Sequence, residues 1–377
     1  MSWVIGSGLT PYGRHDGCST LDLMTQATDL ALADAGLARG DIDGLICGYS
    51  TTLPHLMLST VFAEHYGLHP RYAHAMQLGG ATGFGLVMLA HLLVASGAAK
   101  RILVVGAENR MTGQSRDSAI QVLAQVGHPV YEVPLGATIP AYYGLVASRY
   151  MHEFGSTEVD FAELAVAMRR HAELHEGAQF RNPISVDDVL ASRSIAAPLK
   201  MLDCCPVSDG GCAFVISAEP RGPCPVQITG AAQHHNAQHV SVLASLTNVG
   251  AGICAAQALD AAGRTLADVE HAAIYDSFTI TLTILLEEIG LAPRGRAGTL
   301  AREGHFDRDG AMPLNMHGGL LSYGHCGVGG AMAHLAETHR QMTGRAGMRQ
   351  ARRAGVALLH GDGGVLSSHV SLVMEST

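Results

Sequence analysis

Ala31-Leu32-Ala33-Asp34-Ala35-Gly36, followed by Asp41-Ile42-Asp43-Gly44-Leu45-Ile46, decides the architecture because it occurs twice. Displaced by 227 residues stand Ala258-Leu259-Asp260-Ala261-Ala262-Gly263 and then Asp268-Val269-Glu270-His271-Ala272-Ala273. Each copy reads as an amphipathic helix stopped by glycine, a short polar link carrying aspartate, and a buried apolar strand. A second echo pairs Ile102-Leu103-Val104-Val105-Gly106-Ala107-Glu108 with Val356-Ala357-Leu358-Leu359-His360-Gly361-Asp362. Both are apolar runs ending in glycine near an acid, as central strands do where they reach a functional edge. Two echoes in the same order imply duplication. The chain therefore reads as two α/β halves, 1–115 and 221–377, each a mostly parallel sheet covered by helices. Between them, 116–200 is helical and more charged, which suits an excursion over the active face; 201–220 reads as a return to the first half.

Composition narrows the function. The 377 residues are 47% apolar with a formal charge of −9, which excludes disorder and argues against nucleic acid or an anionic membrane as partner. The nearly uncharged run Gly83–Ala99 is at the short limit of the ~20 apolar residues a span needs, so a buried helix is expected. Met1-Ser2-Trp3-Val4-Ile5-Gly6 lacks the basic segment of a signal peptide, and a soluble cytoplasmic protein is expected. Eight cysteines without a CxxC pair read as reduced thiols, none a nucleophile by spacing. His234, His235 and His239 have no acidic or cysteine ligand beside them, and no metal is expected.

The strongest motif is Asn315-Met316-His317-Gly318-Gly319-Leu320-Leu321-Ser322-Tyr323-Gly324-His325-Cys326-Gly327-Val328-Gly329-Gly330. Its glycines let the backbone fold tightly around Tyr323 and His325, and let a helix begin close to a ligand. Such a loop aims an imidazole at a reacting oxygen; a glycine-rich turn around a packed histidine has the same composition.

This arrangement resembles the Gly-His-Pro block of the thiolase superfamily, in particular the sterol-carrier-protein type. Gln179-Phe180-Arg181, Val189-Leu190-Ala191-Ser192-Arg193, Cys204-Cys205-Pro206-Val207-Ser208-Asp209-Gly210-Gly211 and Gly361-Asp362-Gly363-Gly364 match further blocks in order. The resemblance spans essentially the whole chain. It implies a duplicated, five-layered α-β-α-β-α fold with mostly parallel sheets.

The departures from the family pattern shape the expected activity. Where thiolases carry a nucleophilic cysteine, Gly79-Gly80-Ala81-Thr82-Gly83 places Gly80, and covalent catalysis needs a side chain. Tyr275-Asp276-Ser277-Phe278 stands where the family has Asn-Glu-Ala-Phe or His-Asp-Cys-Phe, and His360 stands where degradative thiolases often place an acid/base cysteine. His325 keeps the position that binds an enolate oxygen. A site that retains enolate stabilisation without an acyl acceptor suits retro-aldol cleavage of a β-hydroxyacyl-CoA, as in the thiolase-like steroid side-chain aldolases. The resemblance thus implies Tyr323, Tyr275, His325 and Asp276 as catalytic residues, with Gly80 and Gly363 beside substrate. The side chain missing at Gly80 is expected to leave room for a bulky carbonyl product. An acyltransferase using Cys326, or a non-catalytic acyl-CoA-binding scaffold, are the alternatives. The resemblance also implies no resident cofactor (the substrate carries coenzyme A), a homodimer, and a small partner with an OB-fold and a zinc ribbon.

Overall fold

In a computed structural model, which describes residues 1–222 and 224–376, the echoed stretches fold alike. The helix Thr20–Ala35 stops at Gly36 (φ 61°) and its counterpart Ala251–Ala262 at Gly263 (φ 65°), left-handed caps that glycine adopts without a Cβ clash. In the polar links, Asp41 accepts from the Ala38 N–H and Asp268 from the Thr265 N–H, each at 2.8 Å. A buried strand follows in both copies.

The strands are β1 (Ser2–Leu9), β2 (Gly44–Gly48), β3 (Tyr72–Met76), β4 (Arg101–Asn109), β5 (Ser194–Ala196), β6 (Leu199–Lys200), β7 (Asp209–Ser217), β8 (Val226–His235), β9 (His271–Ile274), β10 (Val356–Gly363) and β11 (Ser368–Ser376). β5 and β6 form a separate hairpin; the rest make one sheet ordered β3-β2-β4-β7-β1-β8-β11-β10-β9. In the first half β1 to β4 share a direction that β7 opposes, and in the second β8, β9 and β10 share one that β11 opposes. Each half is therefore mostly parallel by direction. The reversed strands β7 and β11 lie inside the order, so each still makes two antiparallel neighbours. The halves join where Ser2–Val4 of β1 lie opposite Val226–Ile228 of β8.

Two helices, Thr82–Ala95 and Val328–Met342, pack on each other and on strands of both halves, forming a middle layer. Their approach is close: a Cβ on Gly83 would meet Met332 Cγ at 2.6 Å. Enclosure explains the apolar run only as far as Val87, since a helix surrounded by protein needs no polar face; beyond it Met88, Leu89 and Leu93 are half-buried and Leu92 is exposed. Among the described residues no helix is long and apolar enough to cross a membrane. Thr20–Ala35 and Leu58–Tyr66 cover the outside of the first half, and Ala251–Ala262 the second, which completes five layers. The excursion carries the helices Arg116–Ala124, Ile139–Phe154, Glu158–Glu173 and Val186–Ala191 before β7 inserts between β4 and β1.

Candidate active site

The glycine-rich loop is held by other blocks of the sequence that match the family pattern. After the short helix Gly319–Ser322, Gly324 (φ 128°) and Gly327 (φ 68°) take conformations that side chains disfavour. The main chain of His325 is pinned between Pro206 and Ser208: its N–H donates to the Pro206 carbonyl at 3.2 Å and to Ser208 Oγ at 3.0 Å, and its carbonyl accepts from the Ser208 N–H at 3.1 Å. Gln179 N–H donates to the Tyr323 carbonyl and Phe180 N–H to that of Ser322, both at 3.0 Å. Arg169 Nε donates to Ser322 Oγ at 3.0 Å. Blocks far apart in sequence thus converge on the turn that presents one imidazole.

That imidazole faces a cavity of about 240 Å³ whose wall includes Gly80, Tyr275, Tyr143, Arg110 and Cys205, with Leu123, Val126 and Ile139 of the excursion closing one side. Tyr275 Oη and His325 Nε2 are 3.0 Å apart. Nδ1 of His325 accepts from the Gly327 N–H at 3.1 Å, so the neutral ring carries its proton on Nε2 and donates it to Tyr275. Desolvation first, then the charge of Arg110, hold the His325 pKa down to about 3, which keeps the ring neutral. Burial pushes the Tyr275 phenol well above its ordinary value. Tyr275 is thus a protonated phenol whose oxygen accepts from His325, leaving its own O–H for the cavity.

Gly80 and Tyr275 fit as a pair. A Cβ on Gly80 would lie 2.3 Å from Tyr275 Oη and 2.4 Å from the Asp362 carbonyl oxygen. The room left by the absent side chain is therefore filled by the tyrosine hydroxyl, which corrects the expectation of an empty space for a bulky product. Gly363 does not line the cavity; a Cβ there would meet the Leu78 carbonyl oxygen at 2.1 Å, so its bareness lets β10 abut the Gly79-Gly80 turn.

Tyr323 and Asp276 also lie outside the lining. Tyr323 is 1% exposed, its hydroxyl donates to the Thr10 carbonyl at 3.0 Å, and its ring meets Tyr12 edge-on at 4.7 Å. The left-handed Gly324 that follows places consecutive side chains on opposite sides of the turn, His325 toward the cavity and Tyr323 toward the core. Asp276 accepts from the Leu320 N–H at 2.7 Å and sits 3.2 Å from His334 Nε2, so it fastens the start of the Gly319–Ser322 helix. Cys326 is fully buried, and burial pushes its thiol up to about 12. His360 is enclosed between Ser371 Oγ at 2.7 Å and His369 at 3.2 Å.

Sequence reasoning missed Arg110, Tyr143 and Cys205 as cavity residues. Arg110 follows the echoed acid at the end of β4, a position the duplication does point to. Tyr143 comes from the excursion helix Ile139–Phe154, and nothing local distinguishes it from a core aromatic. Cys205 is held by its N–H to the Ser277 carbonyl at 2.9 Å, with its thiol pushed up by burial.

Known proteins agree with this construction. The model of the thiolase N-terminal domain matches residues 2–220, and that of the thiolase C-terminal domain-like family matches 232–376. A steroid side-chain-cleaving aldolase of Thermomonospora curvata is 32% identical over 84% of this chain and 85% of its own length. A 17-hydroxy-3-oxo-4-pregnene-20-carboxyl-CoA lyase of Mycobacterium tuberculosis is 32% identical over 90% of this chain and 91% of its own. An acetyl-CoA acetyltransferase of Methanothermobacter thermautotrophicus is 29% identical over 97% and 98%. The solved structure titled Ltp2-ChsH2(DUF35) aldolase superposes with a TM-score of 0.87 at 31% identity, covering 100% of this chain and 97% of that one. With both family models matched in order across the described fold, the chain belongs to the thiolase family.

Proposed function

We propose that this chain is a carbon–carbon lyase, a retro-aldolase that splits a β-hydroxyacyl-CoA into a carbonyl product and a shorter acyl-CoA. The observation that carries the reading is Gly80 with the Tyr275 hydroxyl filling the place of its absent side chain, 3.0 Å from His325. A thiolase-type acyl transfer needs a side-chain nucleophile there, and none exists. A retro-aldol step needs none: the β-hydroxyl loses its proton, its oxygen becomes the carbonyl, and the Cα–Cβ electron pair moves into the thioester as an enolate. Cα then takes a proton. Tyr275 O–H, backed by His325 Nε2–H, donates to the oxygen on which charge develops. Tyr323 and Asp276 act by holding the loop that carries His325, and Gly363 by seating the Gly80 turn.

The two aldolase and lyase relatives support this reaction, and their names support a steroid side-chain thioester as the substrate class. Coenzyme A arrives with the substrate. We extend the proposal to a cytoplasmic homodimer working with a small OB-fold and zinc-ribbon protein, a pairing in keeping with the two components named in the solved Ltp2-ChsH2(DUF35) aldolase. The test is incubation with a tertiary β-hydroxyacyl-CoA, reading ketone and short acyl-CoA by mass spectrometry, with and without the co-expressed partner. Formation of both products is expected. An acyl group trapped on Cys205 or Cys326 would make it an acyltransferase, and tight binding without turnover would make it a scaffold.

A further inference from the structure

A retro-aldol site must take a proton from the β-hydroxyl and deliver one to Cα, and the hydrogen bonds of the Tyr275–His325 pair are arranged for donation. A second tyrosine in the same cavity is arranged the opposite way. Tyr143 lines the cavity, stacks on Phe278 with ring centroids 4.4 Å apart, and donates its hydroxyl to Asp362 Oδ2 at 3.1 Å and more weakly to the Gly364 carbonyl at 3.3 Å. Its own oxygen is thereby left as an acceptor. Asp362 is 1% exposed, and its Oδ1 is buried without a hydrogen-bond partner among the described residues. The ionisable groups facing this carboxyl are Tyr143, Tyr275 and His369, whose Nδ1 is 3.8 Å from Oδ1. With one oxygen unpaired, the buried carboxylate anion is poorly stabilised, which favours its taking a proton on Oδ2 from Tyr143.

We propose that Tyr143 and Asp362 form the proton-transfer dyad of this site, Tyr143 as the catalytic residue and Asp362 as the group that positions it and stores the proton. The proposal rests on the retro-aldol reading and deepens it. As the Cα–Cβ bond breaks, the β-hydroxyl proton passes to Tyr143 while the proton of Tyr143 passes to Asp362. After the carbonyl fragment has formed, Asp362 returns its proton through Tyr143 to Cα of the enolate. One proton leaves and one returns, no redox partner is required, and the dyad ends as it began. Burial raises Asp362 well above the usual carboxylate range, which favours its taking a proton from Tyr143.

Run backwards, the last step removes an α-proton from a short acyl-CoA. The test is therefore deuterium incorporation into propionyl-CoA in D2O, followed by mass spectrometry alongside the cleavage assay. Wild type should exchange, with a rate that rises with pH as Asp362 loses its proton. Asp362→Asn should slow exchange and cleavage by ~100- to 10,000-fold with KM little changed and abolish that rising limb. Tyr143→Phe, which keeps the ring stack and so the fold, should lose the same activity. Exchange at the wild-type rate in either variant, or none in wild type, overturns the dyad. Dyad-dependent exchange by a protein that cleaves no β-hydroxyacyl-CoA leaves the dyad standing and overturns the retro-aldolase instead.

Discussion

At the same place in the two halves, the turn that enters a middle-layer helix carries opposite equipment. In the first half Gly79-Gly80 leads into Thr82–Ala95 and presents only backbone; in the second Gly324-His325 leads into Val328–Met342 and presents an imidazole. The echoed acids at the strand ends each keep one buried oxygen without a hydrogen-bond partner among the described residues, Glu108 Oε2 and Asp362 Oδ1, and differ in what the other oxygen meets. Glu108 at the end of β4 is engaged by its own half, accepting from the N–H and hydroxyl of Thr51 and from Ser50 Oγ at 3.3 Å. Asp362 near the end of β10 accepts one tyrosine hydroxyl from the cavity wall. The edge strand differs too: β3 of the first half shrinks in the second to a single bridge between Ala272 and Leu314. There the Asn315 side chain continues the pairing, with both amide atoms 2.8 Å from the main chain of Ile274. Duplication supplied two copies of one frame, and in the proposed reaction the second copy brings Tyr275, His325 and Asp362, the excursion brings Tyr143, and the Gly79-Gly80 turn of the first shapes the space.

The comparison breaks first on the second half. Tyr275→Phe should cost ~100- to 10,000-fold in kcat with acyl-CoA binding retained, and His325→Ala ~100- to 1,000-fold through loss of the donor to the developing charge. Steady-state kinetics showing near-normal kcat for both would move the chemistry elsewhere. Acid should also strike the second half. His271, His325, His339 and His369 lie there, with His175 in the excursion, and burial first of all holds their pKa values down to about 3 to 4. Unfolded, they protonate near 6.5, so the unfolded state binds more protons as pH falls through that value. Stability should decline from pH ~6.5 toward 4, by up to ~1.4 kcal/mol per pH unit for each histidine, visible in denaturant melts. A flat profile over that window would show these rings charged in the fold.

A smaller effect tests the first half. Gly80→Cys puts a Cβ against the Tyr275 hydroxyl and the Asp362 carbonyl, an overpacking that should cost ~1–3 kcal/mol of stability and yield no efficient thiolysis. A large gain of thiolase activity from this one change would show that the side chain alone separates the two reactions. Smallest of all, Tyr323→Phe removes one buried hydrogen bond to Thr10, about 1 kcal/mol, with kcat preserved. A collapse of kcat with unchanged thermal stability would return Tyr323 to the chemistry.

Much of this was legible beforehand because the decisive features are local and periodic. The helix, glycine, aspartate and strand of each echo, the buried run after Gly83 and the glycine spacing around His325 all follow from short-range rules. The directions of side chains across a turn do not. Tyr323 and His325 stand two residues apart, yet the left-handed Gly324 between them sends one to the core and the other to the cavity. Likewise Tyr143 reaches Asp362 across 219 positions, a meeting that only the folded excursion creates, and Tyr275 fills the gap at Gly80 from the other half of the chain.

The bare backbone at position 80 also bears on the order in which molecules come and go. With no covalent stop at that turn, the carbonyl fragment and the acyl-CoA must occupy the cavity together. The condensation direction should therefore show intersecting double-reciprocal plots, the mark of a ternary complex, in place of the parallel lines of a ping-pong enzyme.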